Sequence, residues 1–303
     1  MKVLIAGGSG LVGTYLANKL NTEGIEFSIL SRNKKNSNIY KSYIWDIEKN
    51  YIEDEAFNNV DFIINLAGEN IADSRWTEER KNEIIKSRIA STNLIFNKLV
   101  ETKTEIKAYN SASGTGFYGS DISQNIYKEN DDVGNDFLAN VCNLWENAAN
   151  QFNTIGVRTV ILRTGIVLAK NGGIIDKLKK SEKLGILANF GTGKGYMPWI
   201  HIEDLCMIYI KSVIDKNMNG IYNIVAPEHI TNNDFVETMS KVLNRKHFKP
   251  NIPSFLLKAA FGELYKVLIG GSRISSEKII NTNYTFEFET LEKALSNILN
   301  TNN

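Results

Sequence analysis

Val3-Leu4-Ile5-Ala6-Gly7-Gly8-Ser9-Gly10-Leu11-Val12-Gly13 is the stretch on which the reading of the fold turns. Val3 to Ala6 is a short β-prone apolar run without alternation, the pattern of a strand covered on both faces. Leu11 to Leu20 then takes helical spacing. A strand, a glycine turn and a helix therefore follow one another. In such a unit Gly7 permits the tight turn, Gly10 lets the backbone approach a pyrophosphate, and Gly13 lets the helix pack closely on its strand. The helix N-terminus presents free N–H groups to the anion. A purely structural glycine turn in another α/β protein is the alternative, and the position directly after a buried strand argues for the dinucleotide.

The second strand, Phe27-Ser28-Ile29-Leu30, runs into Ser31-Arg32-Asn33-Lys34-Lys35. Cofactors with a free ribose 2′-hydroxyl usually meet an Asp or Glu here, about 20 residues beyond the glycines. No acid occupies the spot. A Ser hydroxyl and a planar Arg fork suit a 2′-phosphate, so NADP(H) is expected in preference to NAD. The alternative is that Arg32, Lys34 and Lys35 form a solvated loop.

Further along, Tyr43-Ile44-Trp45 reads as a weaker third strand and Asp61 to Leu66 as a fourth, ending at Ala67-Gly68. Between Trp76 and Val100, Ile85, Ile89, Thr92, Phe96 and Leu99 recur at steps of four and three, a stripe expected to face a sheet. Ile106 to Ala112 reads as a fifth strand, Phe137 to Phe152 as a helix and Val157 to Leu162 as a sixth strand. This alternation predicts a Rossmann-type, doubly wound parallel sheet. After Arg163-Thr164-Gly165 a glycine-rich, loop-rich stretch follows, then a helix near Ile202 to Ile214 and a strand near Ile221 to Val225. From Pro227 the chain reads as mainly helical, with Thr231 capping a helix that carries Asp234 in its first turn, and with an apolar helix from Phe255 to Phe261. The expected division is an NADP-binding domain over residues 1–226 and a small, mostly helical substrate domain over 227–303, which borrows residues 168–198.

The 303 residues carry 35 Lys and Arg against 34 Asp and Glu, a net charge of +1, with 43% hydrophobic residues. That balance excludes a nucleic-acid binder working through bulk positive charge. Cys142 and Cys206 make no disulfide framework and are expected as small core residues in a reducing compartment. His201, His229 and His247 have no ligand-spaced partners, so no metal site is expected. Met1-Lys2 and the apolar residues after it resemble the start of a secretory signal, but the glycines interrupt it at once. No later apolar run approaches the ~20 residues that cross a bilayer. The expectation is a cytoplasmic protein without membrane or nucleic-acid partners, monomeric or homodimeric, acting on a small molecule.

The glycines, Asn65-Leu66-Ala67-Gly68, Ser111-Ala112-Ser113 and Phe117-Tyr118-Gly119 resemble an extended short-chain dehydrogenase/reductase. Arg75-Trp76-Thr77, Ser87-Arg88, Phe137-Leu138, Trp145-Glu146, Arg163 to Leu168, Trp199-Ile200-His201 and Gly262-Glu263 narrow the resemblance to its atypical epimerase-family branch. The resemblance implies that Gly7, Gly10 and Gly13, with Ser9, Leu11 and Val12, hold the pyrophosphate. It places Ser31 and Arg32 at the adenosine phosphate and Asp46 and Ile47 beside the adenine. Leu66, Ala67, Gly68 and Ser111 complete the implied cofactor contacts.

The wider family uses a Tyr-x-x-x-Lys pair in the helix after the fifth strand. If Glu146 matches the acid eight residues beyond that Tyr, Leu138 and Cys142 occupy the two positions, and neither can do the chemistry. Tyr127 lies before the helix and is followed four residues later by Asp131. Ser113, to bond a substrate oxygen, and Tyr118, to donate a proton, are the remaining catalytic candidates, although Tyr118 could instead be a pocket wall. Arg75, Arg88 and Arg163 could clamp a phosphate or carboxylate, Trp76 and Trp199 could form an aromatic wall, and His201 reads as structural more than catalytic. The expected activity is an NADP-dependent oxidoreductase or nucleotide-sugar-epimerase-like reaction on a small polar metabolite. The rival is a non-catalytic NADP(H)-binding sensor.

Overall fold

Both faces of the first strand are covered, as its unbroken apolar run requires. Val3 and Ile5 lie in one apolar cluster with Leu16, Leu20 and Ile208, whereas Leu4 and Ala6 lie in another with Leu94, Ile95 and Leu99. The computed structural model describes residues 1–34 and 37–300, so Lys35 of the basic stretch lies outside the described residues.

The chain runs through β1 (Lys2–Ala6), α1 (Leu11–Thr22), β2 (Glu26–Ser31), β3 (Lys41–Asp46), β4 (Tyr51–Ile52), β5 (Phe62–Asn65), α2 (Glu78–Thr102) and β6 (Ala108–Gly114). It continues with β7 (Ser123–Tyr127), α3 (Phe137–Asn150), β8 (Arg158–Thr164), β9 (Ile166–Leu168), α4 (Gly173–Lys183), β10 (Asn189–Phe190), β11 (Trp199–His201), α5 (Ile202–Ile214) and β12 (Gly220–Ile224). The remainder is α6 (Asn232–Val242), β13 (Asn251–Ile252), α7 (Ser254–Phe261), α8 (Tyr265–Ile269), β14 (Ser272–Ile274), α9 (Glu277–Ile280) and α10 (Leu291–Asn300).

Eight strands form one sheet in the order β12-β8-β6-β5-β1-β2-β3-β4. Its pairings are parallel except for β3 with the short β4. Helices α1 and α5 cover one face and α2 and α3 the other, which is the doubly wound arrangement the alternation predicts. The strand order reverses between β1 and β5, and ligands of open α/β sheets bind in the crevice outside the carboxyl ends at such a point.

Several expectations shift. The stripe of α2 is rotated by one residue at its start: Ile84 is fully buried while Ile85 and Ile89 are half-buried, and the line continues through Thr92, Ile95 and Leu99. Phe96 packs edge-on against Phe152 at 5.3 Å. The glycine-rich stretch is not all loop, because Gly172 and Gly173, both at positive φ, turn the chain into α4. Short parallel pairs, β9 with β11 and β7 with β14, tie this region and the C-terminal residues to the rest. Ile175, Leu187, Trp199, Phe235, Leu291 and Leu295 form the core under the C-terminal helical layer. At its start, Thr231 and Asp234 make a reciprocal capping box.

Candidate functional site

The glycines of the first turn do different work. Gly7 has φ +78°, and a Cβ there would lie 2.7 Å from the Leu66 carbonyl carbon. A Cβ at Gly13 would lie 2.4 Å from the Gly7 oxygen and 2.6 Å from the Gly8 Cα. Both residues are demanded by how α1 packs on β1 and β5. Gly10 is not: its φ is −75° and a Cβ would meet only the Gly7 oxygen, at 3.5 Å, an ordinary contact. Gly10 is exposed and caps α1 with no side-chain hydrogen bond, and the first turn of the helix contains no acid. The N-terminus of α1 thus faces the crevice with its positive end uncompensated.

Around this turn, Ser9 is exposed, and Leu11 and Val12 are half-buried. Ser31 ends β2 and is 7% exposed, and Arg32 beside it is exposed, with no ion-pair partner among the described residues. Asp46 ends β3 next to Ile47, and its Oδ1 accepts from the Glu48 and Lys49 N–H groups, 3.1 Å each. A hydrogen bond from Lys49 holds the Asp46 carboxyl below its ordinary range. Asn65, wholly buried, anchors the end of β5: its Nδ2 donates to Tyr109 Oη at 2.9 Å and its Oδ1 accepts from Ala67 N at 3.0 Å. That bond shapes Leu66, Ala67 and Gly68 into the wall facing the glycine turn. Gly7, Ser9, Gly10, Leu11, Val12, Gly13, Ser31, Arg32, Asp46, Ile47, Leu66, Ala67 and Gly68 therefore lie at or just beyond the carboxyl ends of four neighbouring strands. Ser111, fully buried in β6, lies in register with Asn65 at the end of β5, and its Oγ donates to the Ala112 carbonyl at 3.0 Å.

Ser113 and Tyr118 are brought together, but by a buried ion pair. Arg163 on β8 is 1% exposed and Glu146 on α3 is 4% exposed. The Arg163 Nε and Nη2 donate to the two Glu146 carboxylate oxygens at 2.8 Å each. Ser113 Oγ donates to Glu146 Oε1 at 2.7 Å. Arg163 Nη1 donates to Tyr118 Oη at 2.8 Å, and Tyr118 Oη in turn donates to Asn223 Oδ1 at 2.7 Å. The guanidinium also lies 3.4 Å from the centre of the Phe117 ring. Burial pushes the Tyr118 phenol up to about 12. Arg163 is therefore no substrate clamp. The Tyr118 proton is already committed to Asn223, an arrangement suited to bracing β6, α3, β8 and β12 rather than to giving up a proton. On α3, Leu138 and Cys142 stand against Gly116 and Gly114. Burial pushes the Cys142 thiol up to about 11, which keeps it protonated at neutral pH.

Arg88 reaches out from α2, with its Cζ 3.1 Å from where a Cβ of Gly68 would be and 4.9 Å from the centre of the Trp145 ring of α3. Burial pulls its guanidinium below the ordinary arginine value. Arg75, exposed, packs on Gly262, and Trp76 is 8% exposed, edge-on to Phe137 at 4.9 Å. Trp76, Phe137, Leu138, Tyr265 and Val267 line a cavity of about 580 Å³ between the N-terminus of α3 and the α8 region, with Asp121, Asp136 and Glu263 at its walls. Trp199 is core, 1% exposed. Among the described residues no group of three or more His, Cys, Asp or Glu is placed to hold a metal ion, and no helix is long and apolar enough to cross a membrane.

His201 is structural: it caps α5, its Nδ1 accepting from Glu203 N at 3.2 Å, and its ring stacks on Phe288 at 3.7 Å. Burial depresses its pKa to about 4. The unfolded ring titrates near 6.5, so the stability this adds is complete above about pH 6.5 and is lost as the pH falls toward 4. His201→Asn keeps a capping acceptor and is expected to lose less stability than the wild type between pH 7 and 4.5, by on the order of 2 kcal/mol. Denaturant melts of both proteins at the two pH values check this, and parallel losses would refute it.

Known proteins are similar to this chain over its whole length. The Bacillus subtilis (strain 168) epimerase family protein YfhF is 29% identical over 300 residues, covering 99% of this chain and 98% of its own. The human epimerase family protein SDR39U1 is 32% identical over 302 residues, covering 99% and 100%. The crystal structure of human SDR39U1 (isoform 2) with NADPH superposes with a TM-score of 0.87 at 30% identity, over 99% of this chain and 100% of that one. Residues 252–298 match a domain of unknown function, DUF1731. Residues 3–225, from β1 through the end of the sheet, match the NAD dependent epimerase/dehydratase family, and with relatives that share its whole length this chain belongs to that family and to its epimerase family protein branch.

Proposed function

We propose that this chain binds NADP(H), with the pyrophosphate on the Gly7 to Gly13 turn and the 2′-phosphate at Ser31 and Arg32, and acts as an oxidoreductase or epimerase-like enzyme on a small polar metabolite. The observation that carries the reading is Gly10, a glycine that neither backbone conformation nor packing requires. What remains to explain it is close approach by something bound at the uncapped N-terminus of α1. Arg32, exposed and without an ion-pair partner among the described residues, supports the phosphorylated cofactor, as does the NADPH in the human relative's structure.

When bound, such a cofactor supplies a hydride donor or acceptor. The chain's own residues orient it at the carboxyl ends of β1, β2 and β5 and leave the cavity beside Trp76 for the second molecule. Because the Ser113 and Tyr118 hydroxyls are spent on Glu146 and Asn223, a proton for the substrate oxygen comes from water. The same observation favours the second reading, a non-catalytic NADP(H) sensor.

NADPH is expected to bind more tightly than NADH by roughly tenfold or more, the worth of one charged hydrogen bond, with Arg32→Ala erasing most of the difference. Calorimetric titration of both cofactors tests this, and equal or reversed affinities would overturn it. Incubation with NADPH and a panel of carbonyl metabolites separates the readings: oxidation of NADPH supports the enzyme, and binding without turnover supports the sensor.

A further inference from the structure

Arg88 is a half-buried cation that forms no ion pair among the described residues. Its Nη1 donates to the Ile84 carbonyl at 2.9 Å and its Nη2 to the Glu69 carbonyl at 3.0 Å, and among the described residues no carboxylate forms an ion pair with it. The neighbouring Glu69 pairs with Arg80 instead, at 3.5 Å. A guanidinium carries five N–H donors, so among the described residues its Nε–H and one hydrogen on each terminal nitrogen have no protein acceptor. Half-burying a charge without pairing it carries a desolvation cost, and a guanidinium kept in this way beside a crevice has donors to offer a bound molecule.

The position says what that use is. Arg88 reaches from α2 to Gly68, just past the carboxyl end of β5, with Trp145 and Cys142 of α3 on its other side. A dinucleotide lies across the crevice where the strand order reverses. With its 2′-phosphate at the end of β2, its other half extends over β5 and β6, on the side where Arg88 stands. We propose that Arg88 holds the nicotinamide half of the bound cofactor, donating charge-assisted hydrogen bonds to the hydroxyl oxygens of the nicotinamide ribose. A cation is thereby delivered from α2 to a wall where α3 presents Trp145 and Cys142.

The proposal rests on the NADP(H) reading, and the test separates the two. Titrations compare NADPH with 2′,5′-ADP, which carries the adenosine half and its phosphates but no nicotinamide ribose. Wild-type protein is expected to bind both. Arg88→Met, which keeps an unbranched chain to pack on Trp145, is expected to weaken NADPH by about tenfold or more while leaving 2′,5′-ADP unchanged. Arg88→Lys, which keeps the cation, is expected to lose less. Equal weakening of both ligands by Arg88→Met, or no weakening of NADPH, would overturn the assignment of Arg88 while leaving NADP(H) binding intact. Failure of the wild type to bind either ligand would overturn the underlying reading and this proposal with it.

Discussion

Arg163→Met is expected to destabilise the fold by about 3–5 kcal/mol, because it strands the buried Glu146 carboxylate among groups chosen to face a cation. The loss includes more than one pair. Arg163 also donates to Tyr118 Oη and to the Glu129 carbonyl, at 2.8 and 3.2 Å, and Glu129 Oε1 accepts from Asn223 N at 2.8 Å, so β12 and the segment before α3 lose a shared tie. Against a total stability of about 5–15 kcal/mol this would leave a marginal protein. Glu146→Gln is expected to be nearly as damaging for the converse reason, an uncompensated guanidinium. The double variant Arg163→Met/Glu146→Leu removes both charges and is expected to recover part of the loss. Urea melts of the four proteins decide it. Single variants within 1 kcal/mol of wild type would mean that water reaches the pair, and a double variant worse than the sum would mean that packing rather than charge holds this corner together.

Gly10→Val and Gly13→Val are expected to separate binding from folding at two positions three residues apart. Valine at position 13 would drive its Cβ into backbone atoms of Gly7 and Gly8, which cannot move aside as a side chain would, so α1 must lift from β1 and the protein is expected not to fold. Valine at position 10 meets nothing closer than 3.5 Å at its Cβ and replaces a residue that caps α1 only through its backbone. Its cost to the fold is expected to be about 1 kcal/mol. Its cost to NADPH binding is expected to be about 100-fold or more, since the added side chain stands where a pyrophosphate must touch the main chain. Circular dichroism and calorimetry on the purified variants check both halves. Unchanged affinity in Gly10→Val would remove this turn from the binding site.

What the residues alone disclose follows the range of the interactions involved. The turn from β1 into α1, the parallel strands β5 and β8 and the capping box at Thr231 rest on patterns a few residues long, and each is where local reasoning puts it. Strands β7, β9, β11 and β14 are three to five residues each and acquire their identity from partners far along the chain, so no local periodicity announces them. Helix α4 hides behind Gly172 and Gly173, which read as loop yet serve as its entry turn. The roles of Tyr118 and Arg163 were illegible for the same reason. A hydroxyl five residues past Ser113 looks available until Asn223, 105 positions later, takes its proton. Arg88 shows the converse: its charge is visible in the sequence, but that Glu69 beside it pairs with Arg80 instead is a property of three dimensions.

The pairing of β7 with β14 has a consequence for how the protein is made. Ser123, Ile126 and Tyr127 are held in line by Ser272, Arg273 and Ile274, and Ser272 Oγ further donates to the Asp121 carbonyl at 2.9 Å. On the ribosome the glycine turn and most of the sheet emerge well before residue 272. At about 5–20 residues per second, about seven to thirty seconds separate synthesis of Tyr127 from that of Ile274. Throughout that interval the nascent chain has a place for a nucleotide but lacks the strand that disciplines the segment after Tyr118. Order around the cavity beside Trp76 thus arrives late, as a product of the end of translation rather than of early folding.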